Sequence, residues 1–171
     1  MGTPRWIVIA CACACAWAVA AAPACGKAKG YEREPGVDRL TWKHRKEAKR
    51  LLLEVAMNLE SYFGELGKFP PDPEPLTPAF SCCEKRDLYE DNTCAGSASY
   101  WSGPTWKSLH VEIDTAHSVR LAYDAVDPSR EVVVRAVGDP QCDGTEDSYT
   151  LKATAEGGKV AFTFDERLDP F

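Results

Sequence analysis

The stretch Glu47–Pro70, EAKRLLLEVAMNLESYFGELGKFP, decides the fold. Its apolar residues recur every three or four positions, at Ala48, Leu52, Val55, Leu59, Tyr62 or Phe63, and Leu66. This spacing places one apolar stripe along the face of a helix. We predict that the helix begins at about Leu40 or Thr41, with Thr41 as its cap, and ends at Leu66, because Gly67 and Pro70-Pro71 stop it.

After Trp106 the apolar spacing changes to every second residue, which is typical of strands. The alternating sets are Leu109, Val111 and Ile113; Val119, Leu121 and Tyr123; Val132 to Val134 with Ala136 and Val137; Tyr149 and Leu151; and Val160, Phe162 and Phe164. Turn residues at Asp127-Pro128-Ser129 and Gly157-Gly158 separate them, and short connections favour antiparallel pairing. We therefore predict one α+β domain over residues 40–171, with the helix packed on a four- to five-stranded antiparallel meander.

A segment rich in proline and cysteine joins the helix to the strands. Its five prolines between residues 70 and 78 exclude helix and central strand, so we predict a surface loop. Two disulfides among Cys82, Cys83, Cys94 and Cys142 would hold the loop over 82–94. Adjacent cysteines rarely pair, so either Cys82 joins Cys94 and Cys83 joins Cys142, or Cys83 joins Cys94 and Cys82 joins Cys142. The rival, a four-cysteine zinc site, lacks a C-x2-C pair.

The first 24 residues have the form of a cleaved export signal. Arg5 precedes the apolar run Trp6–Ala22, which is shorter than a typical membrane span, although a retained signal anchor is the alternative. Ala22-Pro23-Ala24 before Cys25 fits both a signal-peptidase site and a bacterial lipobox, in which the cysteine is acylated. A second match, Val8-Ile9-Ala10-Cys11, has almost no apolar sequence ahead of it.

The number of cysteines favours acylation of Cys25. Cleavage before Cys25 leaves five of the eight cysteines, and an oxidising compartment disfavours an unpaired thiol. Lipidation of Cys25 leaves four, which is enough for two disulfides. We therefore expect a membrane-anchored protein that faces the periplasm or the cell surface, with plain secretion as the alternative.

Charge divides along the chain. Residues 25–39 are polar and contain Pro35-Gly36, so we predict a flexible tether. Residues 27–50 hold nine Lys/Arg against four Asp/Glu, whereas residues 51–171 hold ten against twenty-two. An acidic body disfavours nucleic acid as the main partner. The first helical turns carry Lys43, His44, Arg45, Lys46, Lys49 and Arg50, which either contact anionic lipid headgroups or form a solvated face; the flexible tether favours the solvated face.

Two patterns resemble sites but lack parts of them. His110-Val111-Glu112 matches half of a zinc deaminase signature, and the P-C-x-x-C half is missing. Asp139 and Asp143 are weak candidates for a calcium site, because the EF-hand spacing is not met. We find no G-x-S-x-G, phosphate loop or dinucleotide motif. We therefore predict no catalytic residues, no metal site and no cofactor.

The region of about residues 42–165 resembles the headpiece of type IV pilins and pseudopilins. The matching elements are Glu47-Ala48-Lys49, Leu59 to Phe63, Gly67 to Pro70, Trp106 to Leu109, Arg135 to Asp139, and Asp143-Gly144. The resemblance implies a long helix, a loop and an antiparallel meander. A pilin has a processing site and an apolar half-helix before this point, whereas residues 26–39 here are polar. Filament polymerisation is therefore not implied.

Together these features lead us to expect an envelope lipoprotein with a non-catalytic, pilin-like headpiece. Its expected role is as an interaction module linked to a pilus or secretion system, with a protein partner in that apparatus. A structural or secreted lipoprotein unrelated to pili is the alternative, and an exported enzyme is the third possibility.

Overall fold

The computed structural model describes residues 36–85 and 92–165. The predicted signal peptide, Cys25 and the tether as far as Pro35 lie outside the described residues. Within them, one long helix packs on a five-stranded antiparallel sheet, which confirms the predicted α+β class.

The long helix, α1, spans Arg39–Leu66. It begins earlier than predicted because Asp38, and not Thr41, is its cap: Asp38 Oδ1 accepts from the backbone N–H groups of Leu40 (2.9 Å) and Thr41 (3.0 Å). Hydrogen bonds from the side chain and backbone of Thr41 lower the pKa of Asp38 to about 2. At the other end, Gly67 has a φ of 67° and donates to the Phe63 carbonyl (2.7 Å), which confirms it as the residue that ends the helix.

One face of α1 is buried against the sheet, where it contacts β3, β4 and β5. Those strands span Glu131–Gly138, Asp147–Glu156 and Lys159–Phe164. The buried face consists of His44, Ala48, Leu51, Leu52, Val55, Ala56, Leu59 and Phe63. Of the two aromatic residues considered for the stripe, Phe63 is the buried one. Leu66 is 54% exposed, so the stripe ends one turn earlier than its spacing indicated.

The sheet is a meander in which neighbours in sequence are neighbours in space, in the order β1-β2-β3-β4-β5. Strand β1 is Glu74–Thr77 and strand β2 is Arg120–Asp127. The predicted turns at Asp127-Pro128-Ser129 and Gly157-Gly158 join β2 to β3 and β4 to β5. A short helix, α2 (Pro104–Ser108), precedes β2.

The prediction of a strand over Leu109, Val111 and Ile113 is wrong. All three side chains are buried, but their backbone joins no sheet. Pro104 starts α2, His110 has a φ of 52°, and the Val111 N–H donates to the Trp106 carbonyl (2.9 Å). The alternation arises because an irregular segment directs every second side chain toward the core, a pattern that a strand also produces.

The prediction that residues 70–78 form only a surface loop is also wrong. It contains β1, which supplies the fifth strand. This strand is short and lies at the edge of the sheet, where proline is tolerated because one side of the strand needs no backbone partner.

The two faces of the sheet differ. Residues facing α1 are buried and apolar, among them Tyr123, Val134 and Leu151. The other face carries ion pairs, Arg135–Asp124 (3.2 Å) and Lys152–Glu131 (2.8 Å), between side chains that are partly exposed. Such pairs contribute about 0–1 kcal/mol each, so the stability of the domain depends on the single core between helix and sheet.

Candidate functional site

Segments that are distant in sequence meet at the end of the domain where α1 begins, which we name the tether end. It consists of the start of α1 (residues 38–41), the segments 82–85 and 92–94, and the β3–β4 loop (139–146). Gln141 Nε2 donates to Thr41 Oγ1 (3.2 Å), and Asn92 Nδ2 donates to the Pro140 carbonyl (2.9 Å). The tether predicted before residue 40 would join the domain here.

Two disulfides fasten the tether end. Cys82 pairs with Cys94, and Cys83 pairs with Cys142. This is the first of the two arrangements that the sequence left open. Because the adjacent cysteines bond to different segments, residues 82–85 are fixed both to the 92–94 segment and to the β3–β4 loop. The disulfides indicate an oxidising, extracytoplasmic compartment.

The two weak calcium candidates, Asp139 and Asp143, lie in the β3–β4 loop. The Asp139 carboxylate accepts from the backbone N–H groups of Asp143 (3.3 Å) and Gly144 (2.8 Å), and Asp143 Oδ1 accepts from Thr145 N–H (2.8 Å). These carboxylates therefore stabilise the loop backbone. Within the described part of the chain, no group of three or more His, Cys, Asp or Glu side chains converges as metal ligands would.

A polar cluster joins α1 to the start of β2 beside the tether end. Glu47 Oε2 accepts from both the backbone N–H (2.8 Å) and the hydroxyl (2.5 Å) of Ser118. Because the hydroxyl proton of Ser118 is donated to Glu47, Ser118 Oγ accepts a hydrogen bond from His44 Nδ1 (3.2 Å). The hydroxyl is thus held by a carboxylate and an imidazole in a fixed orientation. The arrangement is a bridge between helix and sheet.

The His44 ring is buried and closely packed against its neighbours. The residue is completely buried, its ring lies 5.8 Å from that of Tyr149, and its Nε2 has no hydrogen-bond partner within the described structure. A Cβ at Gly138 would overlap the His44 ring and the Ser118 carbonyl, so close packing explains the glycine in the Arg135–Asp139 element. The prediction of a solvated basic face at the start of the helix is wrong for His44, which is buried.

Burial lowers the pKa of His44 below its ordinary value of 6.5, although the carboxylates of Asp147, Glu47 and Asp139 act in the opposite direction. The unfolded chain therefore binds a proton at a higher pH than the folded protein does. The contribution of neutral His44 to stability is complete above about pH 6.5, and it decreases as the pH falls toward the lower folded pKa.

We expect the free energy of unfolding to fall as the pH decreases from 7 to 5, and the His44→Gln variant to lose most of this slope. Urea unfolding at several pH values measures it. The matched control is His110→Gln, since His110 is exposed. An unchanged slope in His44→Gln would contradict this assignment.

The remaining candidates are separated from the tether end. His110 and Glu112 are exposed, and His110 borders a small cavity of about 80 Å³ beside Tyr62 and Glu65. A larger depression of about 740 Å³ is open to solvent beside the β2–β3 and β4–β5 turns. Charges of both signs line it, from Asp127, Arg130 and Glu156 among others.

Cys25, the predicted lipidation site, lies outside the described residues. Among the helices that the structure describes, none is long and apolar enough to span a bilayer.

Comparison with known protein families, with curated proteins and with solved structures gives no significant match to the chain. The likeness to pilin headpieces therefore consists of the local residue series in the sequence together with a helix-on-sheet architecture that is consistent with a pilin-like fold.

Proposed function

We propose that the protein is an exported lipoprotein, anchored through Cys25, whose pilin-like head is an interaction module for a pilus or secretion apparatus. The observation that carries this proposal is the pairing of the cysteines. All four from Cys82 onward are joined in disulfides, so Cys25 is the one left over after cleavage before it. Acylation gives that thiol a chemical role in an oxidising compartment.

The position of the tether end supports the anchor. Twelve residues lie between Cys25 and the helix cap Asp38, and the chain from Cys25 to Asp38 extends to about 45 Å at most. The disulfide-fastened end of the domain would then be the end nearest the bilayer. Acyl chains on Cys25 replace the apolar half-helix by which a pilin is held in a membrane or filament.

The surface of the head supports an interaction role. The outward side of α1 carries Leu53 (42% exposed) and Met57 (63% exposed) one turn apart. Neighbouring exposed apolar side chains on a helix are a common feature of protein contacts. The depression beside the β2–β3 and β4–β5 turns is open to solvent and lined by charged side chains, so its form does not suit enclosure of a small substrate.

The anchor is tested by fractionating cells that express the full-length chain. We expect the wild-type protein in the membrane fraction and the Cys25→Ser variant mostly in the soluble exported fraction, because acylation requires the thiol. The control is Cys11→Ala, which removes the other lipobox-like match and should leave the protein in membranes. Membrane retention of Cys25→Ser would contradict the anchor.

The interaction role is tested by cross-linking the anchored protein in its own cells and identifying what it binds. Capture of a pilus or secretion component, reduced in Met57→Glu but not in Val126→Glu, would support the proposal. Val126 is a suitable control because it is equally exposed (62%) and lies on β2. Specific capture of unrelated envelope proteins would favour the alternative, a structural lipoprotein.

A further inference from the structure

The two edges of the sheet differ in how well they are protected. At one edge, β1 contains Pro75, its pairing with β2 is irregular, and Glu74 accepts from the Thr105 N–H of α2 (2.9 Å). These features hinder the addition of another strand. At the other edge, β5 pairs regularly with β4 from Lys159 to Phe164 and contains no proline or bulge. Within residues 36–85 and 92–165, no strand covers its outer side.

The backbone groups that β5 presents outward can be assigned. The Asp165 N–H donates to the Thr150 carbonyl (2.8 Å), so Asp165 belongs to a hydrogen-bonded pair with β4. Such pairs alternate along an antiparallel ladder. Lys159, Ala161 and Thr163 therefore also direct their N–H and C=O groups toward β4. The N–H and C=O groups of the residues between them, Val160, Phe162 and Phe164, point away from the sheet.

We infer that β5 binds β5 of a second copy of this chain, antiparallel and centred on Phe162, so that the two sheets become one sheet of ten strands. This register places Phe162 opposite its own copy and Val160 opposite Phe164. These are the residues whose backbone groups point outward, and each copy therefore completes the hydrogen bonds of the other. A register centred on Ala161 or Thr163 would also pair outward-pointing groups, but it would place Lys159 opposite Thr163, or Asp165 opposite Ala161, and would leave these charges unpaired across the interface.

The charges of β5 fit this register. Lys159 lies opposite Asp165 of the second copy, and the two-fold axis repeats the pair at the other end of the strand. Lys159 and Asp165 point to the same side of the sheet because residues an even number apart share a face. A strand with opposite charges placed symmetrically about its centre is complementary to itself, as a two-fold interface requires. This symmetry favours a second copy over an unrelated strand.

The apolar side chains fit as well. Val160, Phe162 and Phe164 are half-buried and pack against the core on the α1 side of the sheet. Pairing brings the two sets side by side, with the Phe162 rings facing each other across the axis. Aromatic and β-branched pairs across strands stabilise a ladder. The contact therefore covers apolar surface that the monomer leaves exposed at its edge.

The test is sedimentation equilibrium of the full-length chain carrying Cys25→Ser, so that acyl groups do not drive association. We expect a concentration-dependent dimer. Lys159→Asp alone, or Asp165→Lys alone, should raise the dimer dissociation constant roughly tenfold, because each converts two attractive pairs into two repulsive ones. The double variant Lys159→Asp/Asp165→Lys restores both pairs and should recover the original constant.

The control is Lys107→Asp, which makes the same change in net charge on α2 and should leave the dimer unchanged. Thermal unfolding of each variant checks that the monomer fold is retained. A protein that remains monomeric at all concentrations would overturn the inference. So would a dimer that is insensitive to the single reversals, or one that the double variant fails to restore.

Discussion

Replacing Trp106 by alanine should lower the free energy of unfolding by about 3–5 kcal/mol, the largest loss we expect from a single side chain. Trp106 is completely buried. Its ring packs edge-on against those of Trp101 (5.7 Å between centroids) and Tyr123 (6.3 Å), and its Nε1 donates to Thr77 Oγ1 (3.1 Å). Truncation leaves a cavity among aromatic rings and removes one of the two hydrogen bonds of the buried Thr77 hydroxyl, which still donates to the Pro75 carbonyl. Urea unfolding measures the loss.

The matched control is Trp42→Ala. Trp42 lies in the first turn of α1, is only partly buried, and stacks against Lys46, whose Nζ lies 5.5 Å from the ring centroid. This contact is near the surface, so we expect a loss of about 1 kcal/mol or less. Equal losses at Trp42 and Trp106 would contradict the placement of Trp106 in the core.

Removing the Cys83–Cys142 disulfide should cost more stability than removing Cys82–Cys94. The first closes a loop with a sequence separation of 59, and the second closes one with a separation of 12. Because a longer closed loop restricts the unfolded chain more, the Cys83→Ala/Cys142→Ala variant should lose about 4 kcal/mol and the Cys82→Ala/Cys94→Ala variant about 3 kcal/mol.

Unfolding of the two double variants without reductant gives the comparison. The alternative pairing, Cys82 with Cys142 and Cys83 with Cys94, is tested by partial reduction and alkylation of the wild-type protein at acid pH before proteolysis, because the adjacent Cys82 and Cys83 otherwise stay on one peptide. A Cys82–Cys142 peptide would contradict the structure. A larger loss for Cys82→Ala/Cys94→Ala would show that local contacts outweigh the restriction of the unfolded chain.

Much of the fold was predictable because the apolar residues of its long helix recur every three or four positions and those of its strands recur every second position. The spacing of Ala48, Leu52, Val55 and Leu59 identified α1, and alternation with turn glycines identified β3, β4 and β5. The start of α1 was not predictable to the residue, because Asp38 and Thr41 are both good caps and only the backbone geometry distinguishes them.

The segments between α1 and β2 were harder to predict. Leu109, Val111 and Ile113 alternate as a strand does, yet the same alternation results when an irregular segment covers a core. Strand β1 was hidden among prolines, which sequence rules exclude from central strands but tolerate at edges. In both segments the tertiary environment determines the backbone conformation, and the local sequence pattern does not indicate which conformation results.

The disulfides of the candidate site could be predicted from the sequence, whereas its polar cluster could not. Four cysteines implied two disulfides, and only the three-dimensional positions could choose the pairing. His44 lies four residues before Ala48 and therefore in line with the apolar stripe, which was a usable signal that its basic neighbours obscured. Ser118 gave no signal, because its role depends on Glu47 lying 71 residues earlier in the chain.

The most direct test of the lipid anchor at Cys25 is the intact mass of the protein purified from membranes of cells that express the full-length chain. We expect a chain that begins at Cys25, carries acyl groups on that residue, and has both disulfides closed. A chain that begins at an unmodified Cys25, or one that retains residues 1–24, would contradict the lipid anchor on which the proposed function depends.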